Sequence, residues 1–171
     1  MKAAIVLARR RVTLGFVAAA LTLLLAQPTW QTWRVGLLIA LIGACVRIWA
    51  AGHLEKGREV TRTGPYRLMR HPLYAGSTVM AIGIAIAARS AAAAAIAVLY
   101  MGLTIAAAVR AEEAQLREAF GSTYDDYQAS RAAPMTRSFS VARAIRNREH
   151  RAVAGLAAGF ALLALKVAAL Q

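Results

Sequence analysis

Apolar residues run along this chain in five long blocks, and the polar residues are gathered between them rather than interleaved. The blocks are residues 12–26, 35–51, 73–88, 91–109 and 152–170. A helix or strand facing water alternates its polar and apolar faces, whereas a nearly unbroken apolar run predicts a helix surrounded by lipid. The pattern therefore predicts an all-α polytopic membrane bundle of five spans, forming one domain over residues 1–171. The first block resembles the core of a signal peptide, but no small-x-small cleavage pattern follows it, so it reads as a retained helix. Residues 27–34 predict a short loop in which Trp30 and Trp33 anchor the interface. The third block is short for a full crossing. Arg89 and Ser90 predict a tight turn into the fourth, and Gly121 a stop to the helix that continues it.

Charge gives these spans a direction. Of the 21 Lys and Arg residues, 17 fall before the first block, between the second and third, or between the fourth and fifth. The opposite loops carry only Arg34 and Arg89. The positive-inside rule then places the N-terminus in the cytoplasm and the C-terminus on the other side of a bacterial-type inner membrane. Arg47 and Lys166 lie inside blocks, near enough to their ends to snorkel; an ionisable residue at Arg47 is equally a functional candidate. The net charge of +13 would suggest nucleic acid in a soluble protein, but here it follows from orientation, so no nucleic-acid partner is expected. All eight acidic residues share the cytoplasmic side with the basic ones, which puts the chemistry there.

Two polar stretches carry candidate chemistry. In the first, residues 52–76, Pro72 suits the first position of a helix, where its missing N–H costs nothing. Arg70 and His71 would then stand at the positive end of that helix beside free backbone donors, a place suited to carboxylate or phosphate, with Tyr66 and Tyr74 as walls. The bland alternative is a basic, aromatic membrane-edge anchor. In the second, Val109, Glu113, Leu116 and Phe120 recur at helical spacing, which sets Glu113 on an apolar stripe with Glu112 beside it. A carboxylate there costs free energy unless it is paired or meets a polar ligand. Pairing with Arg110 or Arg117 is the structural alternative. Tyr124 and Tyr127 share one face of a further short turn. Residues 131–151 are basic and rich in small side chains, with no chemistry of their own.

Metal is not expected: His53, His71 and His150 lack zinc-ligand spacing, and Cys45 is the single cysteine. No dinucleotide, phosphate-loop or nucleophile-elbow motif occurs.

The run Thr63-Gly64-Pro65-Tyr66-Arg67 followed by Arg70-His71-Pro72-Leu73-Tyr74-Ala75-Gly76 resembles the integral-membrane methyltransferases related to isoprenylcysteine carboxyl methyltransferase, with phospholipid N-methyltransferases as cousins. Across a helical hairpin, Glu112-Glu113, Leu116, Phe120-Gly121, Tyr124 and Tyr127 resemble the second block of the same family. The likeness extends to Arg47, residues 49–54 and Asn147-Arg148-Glu149. It implies a helical membrane enzyme that uses S-adenosyl-L-methionine and methylates a lipid-like, amphiphilic small molecule drawn from the bilayer. Tyr66, Arg70, His71, Pro72, Tyr74, Glu112 and Glu113 would hold the cofactor, with Arg70 and Glu113 closest to the catalytic role. A nicotinamide-dependent membrane reductase of sterols or related enes shares the Arg-His-Pro-x-Tyr-x-Gly ending and stands as an alternative. A non-enzymatic scaffold whose basic loops hold anionic lipid is another.

Overall fold

A computed structural model describes residues 2–170, with side-chain surroundings from residue 13 onward. The side chains of Lys2, Arg9, Arg10 and Arg11 lie outside the described residues. Each apolar block is helical, and the described residues contain no strand. The helices are α1 (Lys2–Leu25), α2 (Trp30–His53), α3 (Pro72–Ala88), α4 (Ala91–Phe120), α5 (Ser122–Gln128), α6 (Val141–Arg146) and α7 (Glu149–Leu170), with a 3-10 turn at Gly64–Arg67. By length and composition α2, α4 and α7 are long and apolar enough to cross a membrane. Thr13–Leu25 and Pro72–Ala88 are shorter apolar helices.

The loop expected at residues 27–34 is shorter than the sequence suggested. Thr29 caps α2, accepting from the backbone of Thr32 while the Thr32 hydroxyl accepts from the backbone N–H of Thr29. This reciprocal cap starts the helix at Trp30. Trp33 thus becomes a packed helical residue rather than a free anchor: its indole donates to the Phe160 carbonyl at 2.8 Å, and its ring meets Phe160 edge-on at 5.9 Å. At the far end of α3, Arg89 takes the left-handed conformation at φ 49°. Ser90 then caps α4 by accepting from Ala93. As expected, α4 runs through Val109 without a break and stops at Gly121.

Helices α2 and α3 pack backbone to backbone. A Cβ added at Gly43 would stand 2.6 Å from the Gly76 carbonyl, and one at Gly83 would stand 2.6 Å from the Ala40 amide. Small residues at such crossings supply the close contact that lipid, itself apolar, cannot drive by hydrophobicity. The core is therefore mostly alanine, with Ala40, Ala44, Ala87 and Ala88 buried beside Leu156, Phe160 and Leu163 of α7. Val98, Leu99 and Leu103 of α4 stay exposed, an outward apolar face that suits the hydrocarbon of a bilayer.

Lys166 does not snorkel. Its ammonium donates to the carbonyls of Leu23 and Leu24 at 2.7 and 2.8 Å, closing the C-terminus of α1. Those carbonyls lack helical partners of their own, so a cation there meets both an acceptor and a favourable dipole. Arg47 does not snorkel either; it is half-buried, in the pairing described below.

Candidate functional site

The site grows from the interruption between α2 and α3. Helix α2 ends at His53, whose ring is buried and whose Nδ1 lies 3.0 Å from the Thr63 hydroxyl. Gly64 follows at φ +57°, and an added Cβ there would strike the His53 ring, so glycine is needed for both shape and space. The 3-10 turn then buries Tyr66, and the chain reaches His71, the residue before α3, with Pro72 at the first helical position. This delivers Arg70, His71 and Tyr74 to one corner.

Helix α4 passes that corner with its acidic turn. Glu113 accepts from His71 Nε2 at 3.0 Å and from Arg70 Nη1 at 3.3 Å. Its partners thus come from a different part of the chain, not from Arg110 or Arg117 on its own helix. After Gly121, α5 folds back so that the Tyr127 hydroxyl donates to the Tyr66 carbonyl at 2.7 Å. Tyr124 is buried beside it, its ring 5.8 Å from the Arg117 guanidinium.

These elements enclose a cavity of about 530 Å³. Tyr66, Arg70, His71, Pro72, Tyr74 and Glu112 all line it. Glu113 does not; it stands one layer out, holding Arg70 and His71 from behind. Phe120, Tyr124 and Tyr127 complete an aromatic wall, and Arg47 with Leu73 and Ala108 forms the side nearest the spans. Burial pushes all three wall tyrosines up: Tyr66 well above the usual phenol range, Tyr127 to about 12, and Tyr124 in the same direction with Glu113 adding to it. All three remain neutral hydroxyls, able to donate, at physiological pH.

Sequence reasoning missed a further wall. Glu55 and Glu59 also line the cavity, and the basic segment that had shown no chemistry reaches across to them. Arg137 grips Glu59 with two parallel contacts of 2.6 and 2.8 Å. Arg143 meets Glu55 at 2.8 Å and Arg146 meets it at 3.3 Å. The Arg143 hydrogen bond holds the Glu55 carboxyl below its ordinary value, against the cost of burial. Phe139 packs over Gly52, and Asn147 donates to the carbonyls of Ala51 and Leu54 at 2.8 and 2.9 Å, closing the end of α2. The segment is a strap. Only its balance of arginines against two glutamates four residues apart could have announced it.

After this pairing, two polar groups in the cavity stand out. Glu112 has no hydrogen-bond or ion-pair partner among the described residues. The Tyr124 hydroxyl is buried close to Arg70 with no acceptor for its proton. A buried orphan of this kind is costly and marks a place where a ligand or water belongs. No group of His, Cys, Asp and Glu suited to a metal ion is found among the described residues.

Fold and site together define a helical integral-membrane protein with a polar cavity built over one end of its helices. The sequence model of the phospholipid methyltransferase family matches residues 19–123, and the chain belongs to that family. It is similar to the nickel-cobalt-cadmium resistance protein NccN of Alcaligenes xylosoxydans xylosoxydans, at 31% identity over 63% of this chain and 54% of that one. The cobalt-zinc-cadmium resistance protein CzcN of Cupriavidus metallidurans is 32% identical over 64% of this chain and 54% of its own. A probable protein-S-isoprenylcysteine O-methyltransferase of Oryza sativa is 29% identical over 57% of this chain and 58% of its own. The chain thus spans little more than half the length of these curated relatives. No solved structure matches it.

Proposed function

We propose that the protein transfers a methyl group from S-adenosyl-L-methionine to a lipid-like, amphiphilic acceptor at the cytoplasmic face of the membrane. The observation that carries the reading is the presence of opposite chemistries in one cavity. Arg70 and a helix start line it together with the unpartnered Glu112 and a set of tyrosines. The cavity volume is within the ~300–1,000 Å³ usual for small-molecule sites. A zwitterion with separated carboxylate and ammonium fits that arrangement, and Tyr124 offers it a donor that nothing else uses.

S-adenosyl-L-methionine supplies an activated methyl group, so the protein need not provide a strong acid or base. Its residues bind, orient and exclude water. Arg70, nearly half exposed at 45%, offers a fork of donors to a carboxylate. Glu113 holds that fork and His71 in place. Glu112 receives an ammonium or hydroxyls. The aromatic wall of Tyr66, Phe120, Tyr124 and Tyr127 screens the cavity from bulk water, while the side formed by Leu73 and Ala108 admits an apolar substrate.

The test is cofactor-dependent melting of the full chain in detergent. At about a hundredfold excess over its dissociation constant, S-adenosyl-L-methionine should stabilise the protein by roughly 2.7 kcal/mol. Stabilisation by reduced nicotinamide dinucleotide alone would favour a reductase instead. The orientation follows from charge and is checked by labelling. In a Cys45→Ala background, Ser138→Cys should react only with a reagent that enters the cytoplasm and Gln31→Cys with one that does not; the reverse pattern would invert the site.

A further inference from the structure

The cavity has a floor that none of the above explains. Helix α7 begins with Glu149, 5% exposed, beyond the segment that the family model matches. A buried carboxylate is unfavourable unless its charge is matched. Arg47 matches it twice, with Nε at 2.6 Å and Nη2 at 3.0 Å. The same guanidinium turns its remaining nitrogen to α3, where Nη1 donates to the Ser77 hydroxyl and to the Leu73 carbonyl at 3.3 Å. Ser77 in turn donates to the Leu73 carbonyl at 2.9 Å. The stem of Arg47 is fixed as well, because the backbone of Gly76 lies so close that an added Cβ would stand 2.6 Å from Arg47 Cγ.

One side chain of α2 therefore ties α7 to the opening turn of α3 while its guanidinium lines the cavity. That turn carries His71, Pro72 and Tyr74, and it closes through the amides of Tyr74 and Ala75 on the His71 carbonyl, each at 3.1 Å. An ion pair of this kind adds little stability over apolar side chains of the same volume. Two leucines would hold the helices together in lipid equally well. What the pair adds is direction, since a planar fork held on both edges has one orientation.

We propose that Arg47, Ser77 and Glu149 are positioning residues for the cavity, so that α7 is part of the site and not only a membrane anchor. The proposal rests on the reading that this cavity takes S-adenosyl-L-methionine. Its test uses a second readout that does not.

The full chain in detergent is compared as Glu149→Gln, Ser77→Ala and, as a control at the other end of the bundle, Lys166→Met. Hydrogen exchange at the Tyr74 and Ala75 amides and affinity for S-adenosyl-L-methionine are measured on each. Loss of one charged hydrogen bond predicts about tenfold faster exchange and about tenfold weaker binding in Glu149→Gln, and roughly threefold changes in Ser77→Ala. Lys166→Met should lower the melting temperature and move neither. If Glu149→Gln does not insert, Ser77→Ala decides alone. Wild-type exchange in the variants overturns the proposal, as does faster exchange with unchanged cofactor affinity, which would make the pair merely structural. If the unaltered protein does not bind S-adenosyl-L-methionine, the cofactor reading falls, and wild-type exchange in Glu149→Gln and Ser77→Ala would still overturn the positioning role on its own.

Discussion

The two ends of this bundle are closed by different chemistry. At the end where α3 turns into α4, each tertiary link described finishes on a backbone carbonyl. The Gln27 amide and the Thr32 hydroxyl reach Ala88 and Ala87, Trp33 reaches Phe160, and Lys166 reaches Leu23 and Leu24. At the polar end some links also finish on carbonyls, as Tyr127 meets Tyr66 and Asn147 meets Ala51 and Leu54, but others finish on carboxylates: Arg47 meets Glu149, Arg70 meets Glu113, Arg137 meets Glu59 and Arg143 meets Glu55. A carbonyl bonded at a helix end is neutral, fixed and indifferent to pH. A carboxylate can exchange its partner for a ligand and can be discharged by acid. The first end is built to hold the helices; the second holds them with groups that could also bind. The comparison explains why the cavity lies at one end only and why the cations inside the spans, Arg47 and Lys166, play different parts.

The largest expected effect lies at the tight end. A side chain at Gly36 would overlap the Gly83 carbonyl and Ala87, and the backbone there has no room to yield. Gly36→Val should cost about 3 kcal/mol by overpacking, read as a lowered melting temperature in detergent. Gly155 of α7 has nothing within 4 Å of an added Cβ. Gly155→Val should stay within about 0.5 kcal/mol of the parent. Equal losses in the two would mean that α2 and α3 are not joined through these glycines.

Next in size are changes at the cavity that spare the fold. Arg70→Lys keeps the charge but loses the fork, and Glu113→Gln keeps the shape but loses the charge that orients it. Each should weaken S-adenosyl-L-methionine binding by about 1–3 kcal/mol with little change in melting. An anchoring role would leave affinity untouched in both. Because Glu113 stands behind Arg70 and His71 rather than in the cavity, combining the two variants should cost less than the sum of their separate losses.

How much of this was legible in the sequence divides along the same line. The apolar blocks located the helices, because lipid imposes one rule on every residue of a span. Even the continuation of α4 to Gly121 could be read from helical spacing. The corner of Tyr66, Arg70, His71, Pro72 and Tyr74 could be read too, since a short stretch builds it and Pro72 fixes where the helix begins. The partners of Glu113 could not. Local spacing offered Arg110 and Arg117, whereas the fold supplies Arg70 and His71 from about forty residues away. The strap was invisible for the same reason: the arginines that bind Glu55 and Glu59 lie 78 to 91 positions further along. The Trp33 indole contact spans 127 positions, and composition alone assigned that residue to an interface.

The smallest effect concerns the strap, and it is where the two ends should part most clearly with pH. The Arg137–Glu59 pair is partly exposed, at 22% and 26%, so Glu59→Gln should cost only about 0.5–1 kcal/mol. The loss should be local, appearing as faster exchange or proteolysis over residues 131–148 rather than as a fall in melting temperature. Acid should act in the same direction through Glu55. Arg143 holds the Glu55 carboxyl below its ordinary value in the folded chain. Its contribution is therefore complete above the carboxylate range of an unfolded chain and is lost as pH falls through the lowered folded value. Lowering the pH from 7 through the carboxylate range should loosen residues 131–148, while the links of Lys166 and Trp33, which involve no acid, keep their protection. Salt should weaken the strap likewise, since partly exposed charges are screened. Unchanged protection of the strap in acid would show that it is held by Phe139 over Gly52 and by Asn147 on the end of α2, with its ion pairs incidental. Loosening confined to the strap, and reversed when the pH is restored, would establish a carboxylate-held cover over the cavity.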